Sequence, residues 1–180
     1  KIMILLERLT SGTGGYFDSV NGYTTTQSPQ TNQREMIMAN VLSLGTSHLK
    51  IFLAHELQHL ISFNQKELLR DASEDTWLNE LRSQYAVTLV GYNDNFQNSD
   101  LAQRLQIFLN NSADSLTEWP NTNLDYAVVT LFGQYLVDRF GPAILQETLR
   151  SSSTGIDSIN KYLANHQSLE NFGDVFADWV

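Results

Sequence analysis

A chain of 180 residues with 42% hydrophobic and 11% aromatic side chains is long enough for one domain with a sizeable core. Twenty acidic side chains against 11 basic ones leave a net charge of −9, so no basic stripe exists to neutralise the phosphates of a nucleic acid. Cysteine is absent, which excludes a thiol nucleophile, a thiolate metal site and a disulfide framework.

Residues 2–9 read as a buried strand. The apolar run at its start is short and meets Glu7 and Arg8, so it reads as a strand rather than a signal peptide. TSGTGG at 10–15 is a turn cluster, and Asn21-Gly22 signals a tight turn. Residues 24–33 form a polar loop, and 35–42 (EMIMANVL) read as a second strand. A helix starts near Thr46 or Ser47 and runs to about Asn64. The charged run 66–76 (KELLRDASEDT) reads as a solvated connection. Helices follow over about 76–90, 100–110, 124–140, 142–150, 156–165 and 168–179. The expected fold class is α+β, mainly α. Residues 1–45 form a small β-layer and 46–180 a helical remainder within one domain. No apolar run reaches membrane-spanning length. A chain that opens inside a strand and closes at Asp178-Trp179-Val180 reads as a piece of a longer polypeptide.

Residues 55–59 (HELQH) fit the H-E-x-x-H pattern. Histidines four residues apart lie about 40° apart around a helix, one turn above each other. His55 and His59 can therefore reach one ion from one face, with Glu56 beside them as general base. Two hydrogen-bonded core histidines are the competing reading. The surrounding helix is apolar nearly all round, which predicts burial. A buried Glu between buried His residues needs partners, and a metal ion with its water supplies them.

Hydrolytic zinc usually has three protein ligands and one open position. After His59 the next histidine is His166, so a third His at short spacing is absent. Glu80, 21 residues on and early in the next helix, is the best third ligand. Glu67, Asp71, Glu74 and Asp75 compete, but all lie in the connection. The oxygen-rich loop 93–100 (NDNFQNSD) resembles a calcium loop without the EF-hand spacing, so calcium is a secondary expectation. His48 lies two turns before His55, too far to join the set. His166 is a weaker candidate for orienting substrate. No serine-hydrolase elbow, P-loop or dinucleotide fingerprint occurs.

HELQHLISFN (55–64) and EDTWLNELRSQYA (74–86), with GGYFDSVN (14–21) and NQREMIMAN (32–40) upstream, resemble the gluzincin metallopeptidases. The similarity is to the hyicolysin-type neutral metalloproteases of secreted bacterial origin in particular. It implies a zincin-like, thermolysin-type catalytic domain with zinc on His55, His59 and Glu80 and Glu56 as base. The stretch 124–141 is similar to a helix of zinc aminopeptidases whose first tyrosine donates a hydrogen bond to the tetrahedral oxyanion. Tyr126 matches that tyrosine, although Val129 stands where those enzymes often have Gly. Two further departures are Leu81, where the family usually has Gly, and Gln84, where thermolysin-like relatives have an acid that supports a histidine.

The expected function is a zinc-dependent metalloendopeptidase, secreted or at the bacterial cell surface or periplasm, acting on peptide or protein substrates. A strand edge within 35–42 would hold the substrate as an added strand. The alternatives are an aminopeptidase-like exopeptidase and a non-catalytic binding module on the same fold. The sequence does not fix the oligomeric state.

Overall fold

Every residue of Met36–Asn40 is buried, and the first third of the chain is built around that strand. The computed structural model describes residues 1–10 and 12–180. Ser11, within the expected turn at 10–15, lies outside the described residues. The chain divides into two compact units, Lys1–Phe63 and Asn64–Val180.

The first unit holds a three-stranded sheet: β1 (Met3–Glu7), β2 (Gly15–Phe17) and β3 (Met36–Asn40). The spatial order is β1-β3-β2. β1 runs parallel to β3, with Met3 opposite Met36 and Glu7 opposite Asn40. β2 runs antiparallel to β3, with Gly15 opposite Ala39 and Phe17 opposite Ile37. Helix α1 (Ser47–Phe63) packs on β2 and β3. Two expectations need correction here, and one holds. β1 is not a buried strand: Met3 to Leu6 are 42% to 50% exposed, because only β3 has a neighbour on each side. The tight turn expected at Asn21-Gly22 is present as the end of a 3-10 turn, Ser19–Gly22, capped by the Asp18 carboxylate on the Val20 N–H at 3.0 Å. α1 is less enclosed than its composition predicts, with Glu56, Leu60, Ser62 and Phe63 buried and Ile61 exposed. A sheet this narrow covers only one face of a helix.

The second unit is helical. The π-helical turn Asn64–Leu68 leads to α2 (Thr76–Leu89), α3 (Asp100–Asn110), α4 (Asn123–Phe140), α5 (Ala143–Leu149), α6 (Gly155–Asn165) and α7 (Phe172–Trp179). α4 is its centre. Val128, Val129, Phe132 and Leu136 are buried, and the Phe132 ring meets Phe172, Phe176 and Trp179 at 5.2 to 6.2 Å. α2 lies on α4, and Gly133 makes the close approach possible: a Cβ there would stand 3.1 Å from Leu81. Among the described residues no helix is long and apolar enough to cross a membrane.

The charged connection is not wholly solvated. Glu74 is buried between Lys66, at 3.1 Å, and Arg82, at 2.7 Å. Its other oxygen accepts from the Gly155 N–H at 2.7 Å. Lys66, 1% exposed, also donates to the Ser151 and Ser153 carbonyls, and Arg82 reaches the Thr148 hydroxyl. This cluster ties the connection, α2 and the α5–α6 turn together. Burial alone would raise the Glu74 carboxyl; the Arg82 guanidinium, the Gly155 N–H and Lys66 outweigh it and hold the carboxyl below its ordinary value of 4.5. Burial pushes the Lys66 ammonium down, against the pull of Glu74.

Two outcomes are expected. Gly133→Val forces a branched side chain against Leu81 and should cost about 1–3 kcal/mol in urea unfolding. Adding Leu81→Ala should recover part of that loss, giving a non-additive cycle. Glu74→Gln leaves two buried cations facing each other and should cost about 3–5 kcal/mol. Because the native Glu74 pKa is depressed, its stabilisation is complete above the unfolded value and is lost as pH falls through the native one. The wild-type protein should therefore show an acid limb below about pH 4.5, attenuated in Glu74→Gln, by circular dichroism.

Candidate metal centre

α1 presents the two histidines as their spacing predicts. The His55 and His59 rings lie edge to face, 4.7 Å between centroids, with Nε2 atoms 3.0 Å apart. Two ligand nitrogens on one tetrahedral zinc, each about 2.05 Å from the ion, are about 3.3 Å apart. The helix therefore holds the pair within a few tenths of an ångström of a chelating separation, without any change of backbone.

Glu56 is buried at 9% exposure, and one carboxylate oxygen accepts the Phe17 backbone N–H at 2.9 Å. That donor comes from the end of β2, and it answers the requirement for a partner to a buried carboxylate. The approach of β2 to α1 depends on two glycines. A Cβ on Gly14 would fall inside the Phe52 ring, 1.8 Å from its nearest carbon. A Cβ on Gly15 would sit 2.8 Å from the Met38 carbonyl and 3.7 Å from Glu56 Cγ. Gly14-Gly15 belongs to the turn cluster read at 10–15. A glycine pair entering a strand also signals close backbone approach.

Glu80 stands half-buried in the first turns of α2, behind the fully buried Trp77, Leu78 and Leu81. One ring nitrogen from each of His55 and His59 and a carboxylate oxygen of Glu80 lie within 4.8 Å of one another. Two neutral imidazoles and one carboxylate form a donor set suited to a divalent ion with an open position. The group is compatible with a zinc or another metal ion.

The remaining candidates have definite surroundings. Tyr126 opens α4 beside Asp125, which accepts from the Thr122 N–H and hydroxyl in a capping box. Its hydroxyl donates to Asn121 at 3.2 Å, its ring meets Trp119 edge-on, and Arg104 lies 5.1 Å above the ring. The oxygens of loop 93–100 are largely committed to folding. Asn93 bonds Thr88 and the Leu101 N–H, Ser99 caps α3, and Asp100 pairs with Arg104. His48 is exposed. His166 stacks on Tyr162 and pairs with Glu147 at 3.0 Å, a surface arrangement.

No protein-family model matches the chain. It is 29% identical, over an alignment of 190 residues, to the neutral metalloprotease ShpI of Staphylococcus hyicus. That alignment takes in 92% of this chain and 41% of the relative, so the chain spans about two fifths of the relative's length. A distant similarity to a neutral metalloprotease thus accompanies a His-His-Glu group compatible with a metal ion.

Proposed function

We propose that the chain is the catalytic domain of a zinc-dependent metalloendopeptidase, with zinc on His55, His59 and Glu80 and secretion as its expected fate. The observation that carries this reading is the convergence of three donor atoms beside a carboxylate, Glu56, that is anchored but not a member of the donor group. When bound, zinc supplies Lewis-acid polarisation of the peptide carbonyl and a lowered pKa for water.

The chain's own residues do the rest. Glu56 has one oxygen fixed by Phe17 N–H, which leaves the other to take the proton of the attacking water. The same oxygen then delivers that proton to the departing amine. The hydroxyl of Tyr126 is the candidate donor to the developing oxyanion. A substrate strand requires an unpaired edge, and β3 has none because it pairs on both sides. The expectation of substrate pairing within 35–42 is therefore replaced by pairing on β2, the edge strand that carries Gly15 and Phe17 alongside Glu56.

Mass-spectrometric mapping of cuts in a mixed peptide library, with zinc supplied, tests the reading. Internal cleavage is expected; trimming from one end alone would turn the reading to an exopeptidase. Glu56→Gln should lose about 10²- to 10⁴-fold in turnover while retaining one zinc per chain. His55→Ala should lose zinc by atomic absorption. Tyr126→Phe should lower kcat about 10²-fold with little change in KM. A folded, zinc-loaded chain that cuts nothing would leave a non-catalytic binding module as the surviving reading.

A further inference from the structure

A cavity of about 490 Å³ in the helical unit gathers Arg70, Arg150 and Lys161 around the hydroxyl-bearing Ser151 and Ser152. Three of only 11 basic side chains thus line one cavity in a chain of net charge −9. Chance scatter over an acidic surface does not favour such a meeting, since like charges repel and nothing in the cavity balances them fully. Glu147 is the one acid on the wall, and its carboxylate is already paired with His166.

The cations are unequal. Arg70 is fixed: its Nε donates to the Arg150 carbonyl, and one Nη to the Gln65 carbonyl at 2.6 Å and side chain at 3.1 Å. It therefore caps the C-terminal end of α5 and offsets the negative end of that helix, which otherwise opposes an anion. Arg150 and Lys161 are exposed, and neither side chain makes a hydrogen bond or ion pair among the described residues. Beneath the wall, Lys66 holds the Ser151 and Ser153 carbonyls, so the serine turn is fixed in advance. The cluster of Lys66, Arg82 and Glu74 adds one further net positive charge from below.

We infer that this cavity is an anion site for the phosphate group of a small phosphorylated molecule. Three cations against one acid leave a net charge of about +2, which matches a phosphate dianion rather than a single carboxylate. Guanidinium forks and serine hydroxyls suit a tetrahedral oxyanion with several acceptor oxygens. The volume exceeds that of a bare phosphate and falls in the range of small-molecule sites, leaving space for an organic part along the Tyr162 ring that also lines it. The site shares no residue with the His55–His59–Glu80 group, and it stands whether or not the chain is a peptidase.

Isothermal titration calorimetry of the whole chain with inorganic phosphate, at ionic strength held constant with sodium chloride, tests it. Saturable binding in the millimolar range or tighter is expected, with acetate failing to compete. Arg150→Ala and Lys161→Ala should each weaken binding at least about 10-fold. Both side chains are exposed, so the melting temperature without phosphate should be unchanged, which separates lost binding from lost folding. Lys50→Ala removes the same charge elsewhere and should leave the affinity as it is. Absence of binding, an equal loss in Lys50→Ala, or acetate competing as well as phosphate each overturns the assignment.

Discussion

A carboxylate placed in the middle of an apolar helix must be given a hydrogen-bond donor, and that requirement shapes the first unit. Glu56 is buried among half-buried and buried side chains of α1, and its partner is a main-chain N–H rather than a cation. A backbone N–H orients the carboxylate without placing a second charge beside it. The donor can come that close only because β2 enters through Gly14 and Gly15. After Phe17 the chain turns at Asp18 into a 3-10 turn, and the residue whose N–H reaches Glu56 is the last of the strand.

The second unit meets the opposite problem, a surplus of buried charge, by a different route. Lys66 and Arg82 flank Glu74 by eight residues on either side, and all three are withdrawn from water. Their mutual attraction offsets desolvation only because the leftover donors and acceptors are also used, by Ser151, Ser153, Thr148 and Gly155. Removing one member is therefore far more costly than replacing the set. The cluster also places the start of α2, and with it Glu80, through Arg82 two residues further along the helix.

Much of this was legible in the sequence, and what was not has a common cause. The His55–His59 spacing is a local, helical fact, so a pattern four residues long predicts which side chains share a face. Helices α2 to α4 are bounded by caps and glycine stops close to where the residues predict them. Glu74 was not legible as a buried residue. A run of alternating charges reads as solvated unless its partners are known, and Arg82, Thr148 and Gly155 are supplied by other elements. The strand order was hidden likewise: β1 and β3 are parallel with β2 between them in sequence, so nothing local says that β3 is central. Reading β1 as buried followed from its composition, and composition does not distinguish an edge from a centre.

Leu81 is the clearest case of a departure from a resembling family that the structure explains by packing. Where a glycine is usual, this chain has a fully buried leucine, and the room for it is made on α4 by Gly133. A large side chain on α2 thus meets a residue without one on α4, which lets the two helices pack closely. Arg82, the next residue, is drawn inward by Glu74, so the turn of helix following Glu80 is anchored at two consecutive positions. A helix fixed in this way holds Glu80 against rotation about the α2 axis, as its proposed ligand role requires. Gln84 is a different kind of departure. It is buried one turn beyond Glu80, and it brings an amide rather than a charge to that turn of α2. The two departures therefore differ in kind: Leu81 is accounted for by its packing against Gly133, whereas Gln84 places a buried neutral amide where thermolysin-like relatives have an acid.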